Sequence, residues 1–267
     1  MTDPVEDLVA QLKGAKKYAV TCEDTLRRTA AWALARRPSA KEALKTAKRK
    51  LHQITAAYME PSKWPEVEGL VDILSTVGPE AIRSTCRRLL AYHASTAERL
   101  EIMEAAFRDV FRVTGPPDVL VDLACGLNPF ALPWMGLSSE CVYRAIDINH
   151  RLVRCINRFF EVMDRPQAAE CRDLLAAPPT ERADIALVLK TLPCLEQQEK
   201  GASARVLRAL DCRWIVVSFP SRSLGGRQKG MAPHYAHFME RLLDELGSEA
   251  KVLTYPDELV YIIRGKQ

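Results

Sequence analysis

The sequence predicts an α/β fold with a mostly parallel sheet, preceded by a helical N-terminal domain. Three observations carry that reading. Up to Phe111 the apolar residues recur at helical spacing. Pro116-Pro117 then interrupts the chain, because neither proline can donate a helical hydrogen bond and each restricts the residue before it. Beyond that point short apolar runs alternate with helix-like segments through residue 267, as in a parallel sheet covered on both faces. Two domains are therefore expected, a helical one over 1–117 and an α/β one over 118–267.

Within the first part, Ser39-Ala-Lys-Glu42 has the form of a capping box, in which the hydroxyl and the carboxylate satisfy each other's orphan backbone N–H groups. Ala43, Leu44, Ala47, Leu51, Ile54 and Tyr58 then line one helical face, with Lys41, Lys45, Lys48 and His52 nearly opposite. A second box, Ser95-Thr-Ala-Glu98, is read as opening a helix that runs to about Phe111. In the second part the expected strands are Val119–Leu123, Cys141–Ile146, Asp184–Leu189, Trp214–Phe219, Val252–Thr254 and Leu259–Ile263. Helices are expected over His150–Val162, Leu195–Leu210 and Pro233–Leu246. Sheets of this kind bind ligands beyond the carboxyl ends of their strands, near the point where strand order reverses.

Composition narrows the functions available. The chain has 267 residues, 48% hydrophobic and 27% charged, which excludes disordered and collagenous classes. No apolar stretch approaches the roughly 20 residues of a membrane span, and Asp3, Glu6 and Asp7 stand where a signal peptide would be basic. A cytoplasmic protein is the expectation. The eight cysteines never fall closer than 14 residues apart, so the paired spacing of a structural zinc site is missing and no metal is expected.

The net charge of +4 is unevenly placed. Residues 1–117 carry 19 Lys and Arg against 15 Asp and Glu, whereas 118–267 carry 19 of each. Nine basic residues fall between Arg27 and Lys50 against the single acid Glu42, a pattern suited to binding phosphates.

The chemistry-bearing motifs sit at the predicted strand ends. Val121-Asp-Leu-Ala-Cys-Gly126 closes the first strand with an acid and a glycine-containing turn, which allows a ligand to approach the backbone. About 20 residues on, Asp147 ends the second strand, where a carboxylate can accept both hydroxyls of a ribose. Gly126 is the only glycine in its turn and no P-loop lysine follows, so NAD and ATP are disfavoured. An adenosine ligand without phosphates fits better, which points to S-adenosylmethionine (SAM).

Longer blocks make a resemblance specific. Asp122–Trp134 (DLACGLNPFALPW), Leu189–Gln198 (LKTLPCLEQQ), Val217–Met231 (VSFPSRSLGGRQKGM) and His93–Leu100 (HASTAERL) resemble the aminoglycoside-resistance 16S rRNA methyltransferases, the Arm or FmrO-like family. That resemblance covers most of the chain. It implies a Rossmann-like SAM-dependent methyltransferase fold with a mostly parallel seven-stranded sheet. It also implies transfer of a methyl group to guanine N7 in the assembled 30S subunit, named 16S rRNA (guanine(1405)-N(7))-methyltransferase activity, with S-adenosyl-L-homocysteine (SAH) as the product. A monomer is the expectation.

The same resemblance implies residue roles. Asp147 would hold the SAM ribose, Asp173 the adenine amino group, and Asp122 and Gly126 the turn beneath the methionine portion. Arg99 offers a guanidinium fork to the methionine carboxylate, and Ala124, Leu174, Leu189 and Gln198 complete the expected cofactor set. Guanine N7 bears no proton, so no general base is expected; residues that place the target base matter instead. Lys190 and Arg227 are assigned that task, with Thr191 beside Lys190. Arg27, Arg28, Arg36, Arg37, Lys41, Lys45 and Lys48, together with Arg222 and Lys229, are the expected rRNA contacts. Cys194 follows a proline after the fourth predicted strand, where cytosine-C5 methyltransferases carry a nucleophile; its apolar neighbours argue against that role here. The residues alone also admit a SAM-dependent enzyme acting on adenine N1 or a small molecule, or a non-catalytic RNA-binding protein on the same fold.

Overall fold

The computed structural model describes residues 3–37, 39–55, 59–166, 168–221 and 231–266. The apolar runs after residue 118 form one seven-stranded sheet: β1 (Val119–Leu123), β2 (Val142–Asp147), β3 (Ala169–Cys171), β4 (Ala183–Leu189), β5 (Cys212–Pro220), β6 (Ala250–Thr254) and β7 (Glu258–Arg264). The strand order is β3-β2-β1-β4-β5-β7-β6, with β1 to β5 parallel and β7 antiparallel to both β5 and β6. Order reverses between β1 and β4, so the crevice above their carboxyl ends is where a ligand is expected. All six expected strands are present, with ends shifted by a residue or two. β3 was not anticipated, because Ala169-Glu-Cys171 is only three residues long with an acid at its centre.

Alternation along the strands sends side chains to opposite faces. Leu120, Tyr143, Ile185, Leu187, Val216 and Ile262 join the core on one face, and Val121, Ile146, Ala186, Val188, Val217 and Ile263 that on the other. The second face is covered by α10 (Leu192–Gln198), α11 (Ala202–Ala209) and α12 (Met231–Leu246). The single helix expected over Leu195–Leu210 is thus two. Gly201 takes the left-handed conformation (φ 79°), and the Glu196 carboxylate accepts from Gly201 N at 2.9 Å and Ser203 N at 2.8 Å, restarting the helix as α11.

The first face is covered by α9 (His150–Val162) and by helices that precede the double proline: α4 (Trp64–Leu74), α5 (Pro79–Leu90) and α7 (Met103–Thr114). Val67, Leu70, Leu89, Phe107 and Val110 belong to the same core as Leu120 and Ile185. Pro116-Pro117 therefore marks the change from helix to strand and not a division in packing. The apolar stripes of α4, α5 and α7 close against the sheet itself.

A separate core does exist, further upstream. α1 (Pro4–Lys13), α2 (Glu23–Leu34) and α3 (Ala40–Thr55) pack on Leu8, Leu12, Leu26, Ala30, Ala47 and Leu51. The Ser39 cap is formed, its hydroxyl accepting from Glu42 N at 3.2 Å, and Ala43, Ala47 and Leu51 are buried as expected. The second capping box is not. Ser95 lies inside a short helix, α6 (Ala94–Ala97), the chain turns through residues 98–102, and α7 starts only at Met103. Glu98 is drawn off by an ion pair with Lys190 and has no part in a helix start. Among the described residues no helix is long and apolar enough to cross a membrane.

Candidate active site

The turn after β1 is unusual backbone for its sequence. Ala124 has φ 50° and Gly126 has φ 51°, and Cys125 N donates to Ile146 O at 2.9 Å, tying the turn to β2. A side chain at Gly126 would meet both a left-handed φ and the His93 ring, which lies 3.0 Å from where its Cβ would stand. Lys190, just past β4, is a second non-glycine residue at positive φ, 56°. Two such residues flank the strand-order reversal, and strain held in place there marks a site built for something other than stability.

The strand-end acids converge around this turn. Asp147 Oδ2 accepts from Gly126 N at 3.1 Å and Oδ1 from Asn149 N at 3.0 Å, and burial raises its pKa. Asp122, 1% exposed, accepts through Oδ2 from Tyr143 Oη at 2.6 Å and Asn128 Nδ2 at 2.8 Å. Its Oδ1 is buried with no hydrogen-bond partner among the described residues. Burial pushes the Asp122 carboxyl up to about 6 even though these two donors and Arg99 pull it down. Asp173, 2% exposed, accepts through Oδ1 from Leu175 N at 2.8 Å.

A cavity of about 580 Å³ opens over these carboxylates, within the usual range of small-molecule sites. It is lined by Asp122, Ala124, Gly126, Asp147, Asp173, Leu174, Leu189 and Gln198, so the expected cofactor set is brought together. Arg99, Lys190 and Thr191 line it as well.

Arg99 and Lys190 stand in a buried network that motif reading does not anticipate. Arg99 is 3% exposed and sets its fork on Glu258, with Nε 3.0 Å from Oε2 and Nη2 2.5 Å from Oε1. Its Nη1 donates to Asn128 Oδ1 at 3.1 Å, extending the network to Asp122. The bidentate partner of Arg99 is thus a carboxylate of the chain itself, which leaves N–H capacity on Nη1 for a ligand. Lys190 Nζ donates to Ser95 O at 3.2 Å and to Glu98, and lies 3.8 Å from Glu258 Oε2. Burial alone would raise the pKa of Glu258, but the charges of Arg99 and Lys190 overcome it and the carboxyl is held below its ordinary value. His93 is pushed down to about 4 by burial and by Lys190 and Arg99, so the ring is neutral at pH 7. Glu258 opens β7; in sequence an acid before an apolar run reads as a solvated strand end, and no local signal marks it as buried.

The basic residues divide. Lys41, Lys45, Arg36 and Arg37 are exposed on α3 and at the end of α2, and the Arg36 guanidinium lies over the Trp32 ring at 4.7 Å. Lys48 is half-buried beside them. Arg27 is exposed but engaged by Glu6 at 2.7 Å and Glu23 at 2.6 Å. Arg28, grouped in sequence with the exposed arginines, instead turns inward: Nε and Nη2 lie 3.0 and 2.9 Å from Asp173 Oδ2, and Nη2 lies 2.8 Å from Gln198 Oε1. Successive residues of a helix are turned by about 100°, so the neighbouring position 27 takes the outer face of α2. Arg222, Arg227 and Lys229 lie outside the described residues. Cys194 lines the cavity on α10, its thiol 3.8 Å from Lys190 O.

Known proteins place this architecture. The profile of the ribosomal RNA methyltransferase (FmrO) family matches residues 14–262. A protein of Micromonospora rosea named 16S rRNA (guanine(1405)-N(7))-methyltransferase is 38% identical over 266 residues, covering 98% of this chain and 97% of its own. A protein of the same name from Frankia casuarinae is 39% identical over 268 residues, covering 98% and 93%. The crystal structure of the 16S rRNA methyltransferase RmtF in complex with S-adenosyl-L-homocysteine superposes with a TM-score of 0.85 at 35% identity, over 100% of both chains. With sheet order, strand-end acids and near full-length similarity in agreement, the chain belongs to the ribosomal RNA methyltransferase (FmrO) family.

Proposed function

We propose that this chain is a 16S rRNA (guanine(1405)-N(7))-methyltransferase that acts on the assembled 30S subunit and thereby gives aminoglycoside resistance. The observation that carries the reading is its relation, at 38–39% identity over 98% of the chain, to proteins bearing that name. The cavity fits SAM on its own terms. Among the lining residues, Asp173 would accept from an adenine amino group, Asp147, bound to Gly126 N, from a ribose, and the unpartnered Oδ1 of Asp122 from a methionine ammonium. The remaining N–H of Arg99 Nη1 is directed to the methionine carboxylate, with Asn128 and Glu258 fixing the guanidinium.

SAM supplies the methyl group and a good leaving group when bound. The protein's task is then alignment, since guanine N7 already has its lone pair and carries no proton to remove. Lys190 lines the cavity just past β4, with its ammonium held by Ser95 O and Glu98. Such a fixed residue orders the rim against which a flipped base is placed, while Arg227 is proposed to contact the base itself. Lys41, Lys45, Arg36 and Arg37 are proposed to dock on rRNA phosphates, because A-form grooves offer side chains little sequence to read. We further propose a cytoplasmic monomer. The test is incubation of purified 30S subunits and of free 16S rRNA with labelled SAM, followed by mapping the modified nucleotide by primer extension. Label at the decoding-site guanine in 30S alone is expected; label at an adenine, or none, refutes the reading.

A further inference from the structure

The three-helix unit of α1–α3 is joined to the rest of the chain in a particular way. Among the described residues its core contains none beyond Leu51. Polar contacts link it to the cofactor cleft: Cys22 N donates to Ile148 O at 2.7 Å, His150 N to Val20 O at 2.8 Å, and Lys50 Nζ to Gln197 O at 2.8 Å. A further link is the fork of Arg28 on Asp173 and Gln198. An interface of this kind, polar and without a shared apolar core, permits the two parts to shift relative to one another.

We infer that Arg28 is a positioning residue that couples docking of the three-helix unit on RNA to retention of the cofactor's adenine, acting through Asp173. The inference rests on the SAM and rRNA assignments proposed above. A carboxylate offers about four lone-pair sites. In Asp173 one is taken by Leu175 N and two by Arg28, so an adenine amino group binds an oxygen whose orientation Arg28 sets. Gln198, on α10, is held by the same guanidinium, so one side chain of α2 aligns both elements at that end of the cleft. If α2 moves by an ångström or two, the fork opens and leaves a carboxylate 2% exposed without its cation. A buried charge in that state is costly, so adenine binding and the closed position of the unit favour each other. Lys41 and Lys45 stand on the same unit, and whatever grips them biases that position. Linkage then requires the reverse: a ligand on Asp173 must tighten the grip on RNA by the same factor.

Hydrogen exchange of the full-length protein with and without SAH, paired with calorimetry, tests this. Saturating SAH is expected to slow exchange across Glu23–Leu34 in the wild type. In Arg28→Ala, SAH binds about tenfold more weakly, the loss of a charge-assisted hydrogen bond, and at saturation no longer slows α2. Arg28→Lys, which keeps the charge but loses the fork, falls between the two. SAH should also tighten wild-type binding to 30S by a factor in the roughly 5–150-fold range of coupled sites, and that factor should approach one in Arg28→Ala. Exchange in α2 that ignores SAH, slowing that persists equally in Arg28→Ala, or 30S affinity indifferent to SAH overturns the inference. Failure of the wild type to bind SAH at all shows first in calorimetry; it counts against the cofactor assignment itself and removes the inference with it.

Discussion

Lowering the pH from 7 to 5 should weaken SAH binding about tenfold through Asp122 alone. This carboxyl is pushed up to about 6 from an ordinary 3.8, burial being the largest cause. Bringing an ammonium to its unpartnered Oδ1 favours the ionised form, so the complex holds a lower pKa than the free protein. Affinity is therefore full above pH 6 and is lost as pH falls through it. At pH 5 only about one molecule in eleven presents the ionised carboxylate, which costs about 1.4 kcal/mol of binding. The surroundings support assigning the slope. His93, at about 4, stays neutral over this window, and the Tyr143 hydroxyl and Asn128 stay bound to Oδ2. Asp147, also raised by burial, adds to the effect in the same direction. Titration calorimetry with SAH at pH 5, 6 and 7 reads the slope, and Asp122→Asn isolates its share because the amide does not titrate. A flat wild-type profile, or an Asp122→Asn variant with the wild-type slope, refutes the reasoning. Without ligand the same shift acts on folding. Its contribution to stability is complete below about 3.8 and is lost as pH rises through about 6, so the free protein should gain least from this group at neutral pH.

Glu258→Gln should lower stability by about 3–5 kcal/mol in urea unfolding, because it strands the buried charge of Arg99, while Lys190 keeps Glu98; a loss under about 1 kcal/mol would show that the Arg99–Glu258 pair is not structural. Reversing two exposed charges together, Lys41→Glu with Lys45→Glu, should weaken 30S binding and reduce its salt dependence by about one unit of slope per lost phosphate contact, with SAH affinity unchanged. Unaltered 30S binding across a salt series would remove α3 from the docking surface. Cys194→Ser should retain methyl transfer, since the thiol sits beside Lys190 O on α10 and N7 chemistry needs no covalent nucleophile; loss of transfer with SAH and 30S binding intact would restore the covalent reading.

Much of this protein is legible residue by residue. Strand positions follow from short apolar runs such as Val119–Leu123, and Asp122 and Asp147 stand out as the acids that close two of those runs. Where the reading fails, a contact distant in sequence overrides a local pattern. Ser95-Thr-Ala-Glu98 satisfies every local rule for a capping box, yet Lys190, 92 residues away, takes Glu98. Arg28 looks like its neighbour Arg27, and only the approach of Asp173, 145 residues on, distinguishes them.

The sequence by itself determined the alternating α/β order, the acids at the strand ends and the concentration of positive charge between residues 27 and 50, because all three depend on periodicity, turn chemistry and composition within short windows. The tertiary structure alone decided where the packing divides, at α3 and not at Pro116-Pro117, and which charges are buried. It brought Glu258 under Arg99 and Arg28 onto Asp173. Burial and pairing of charge are properties of neighbours in space, and a side chain carries no mark of them until the chain has closed around it.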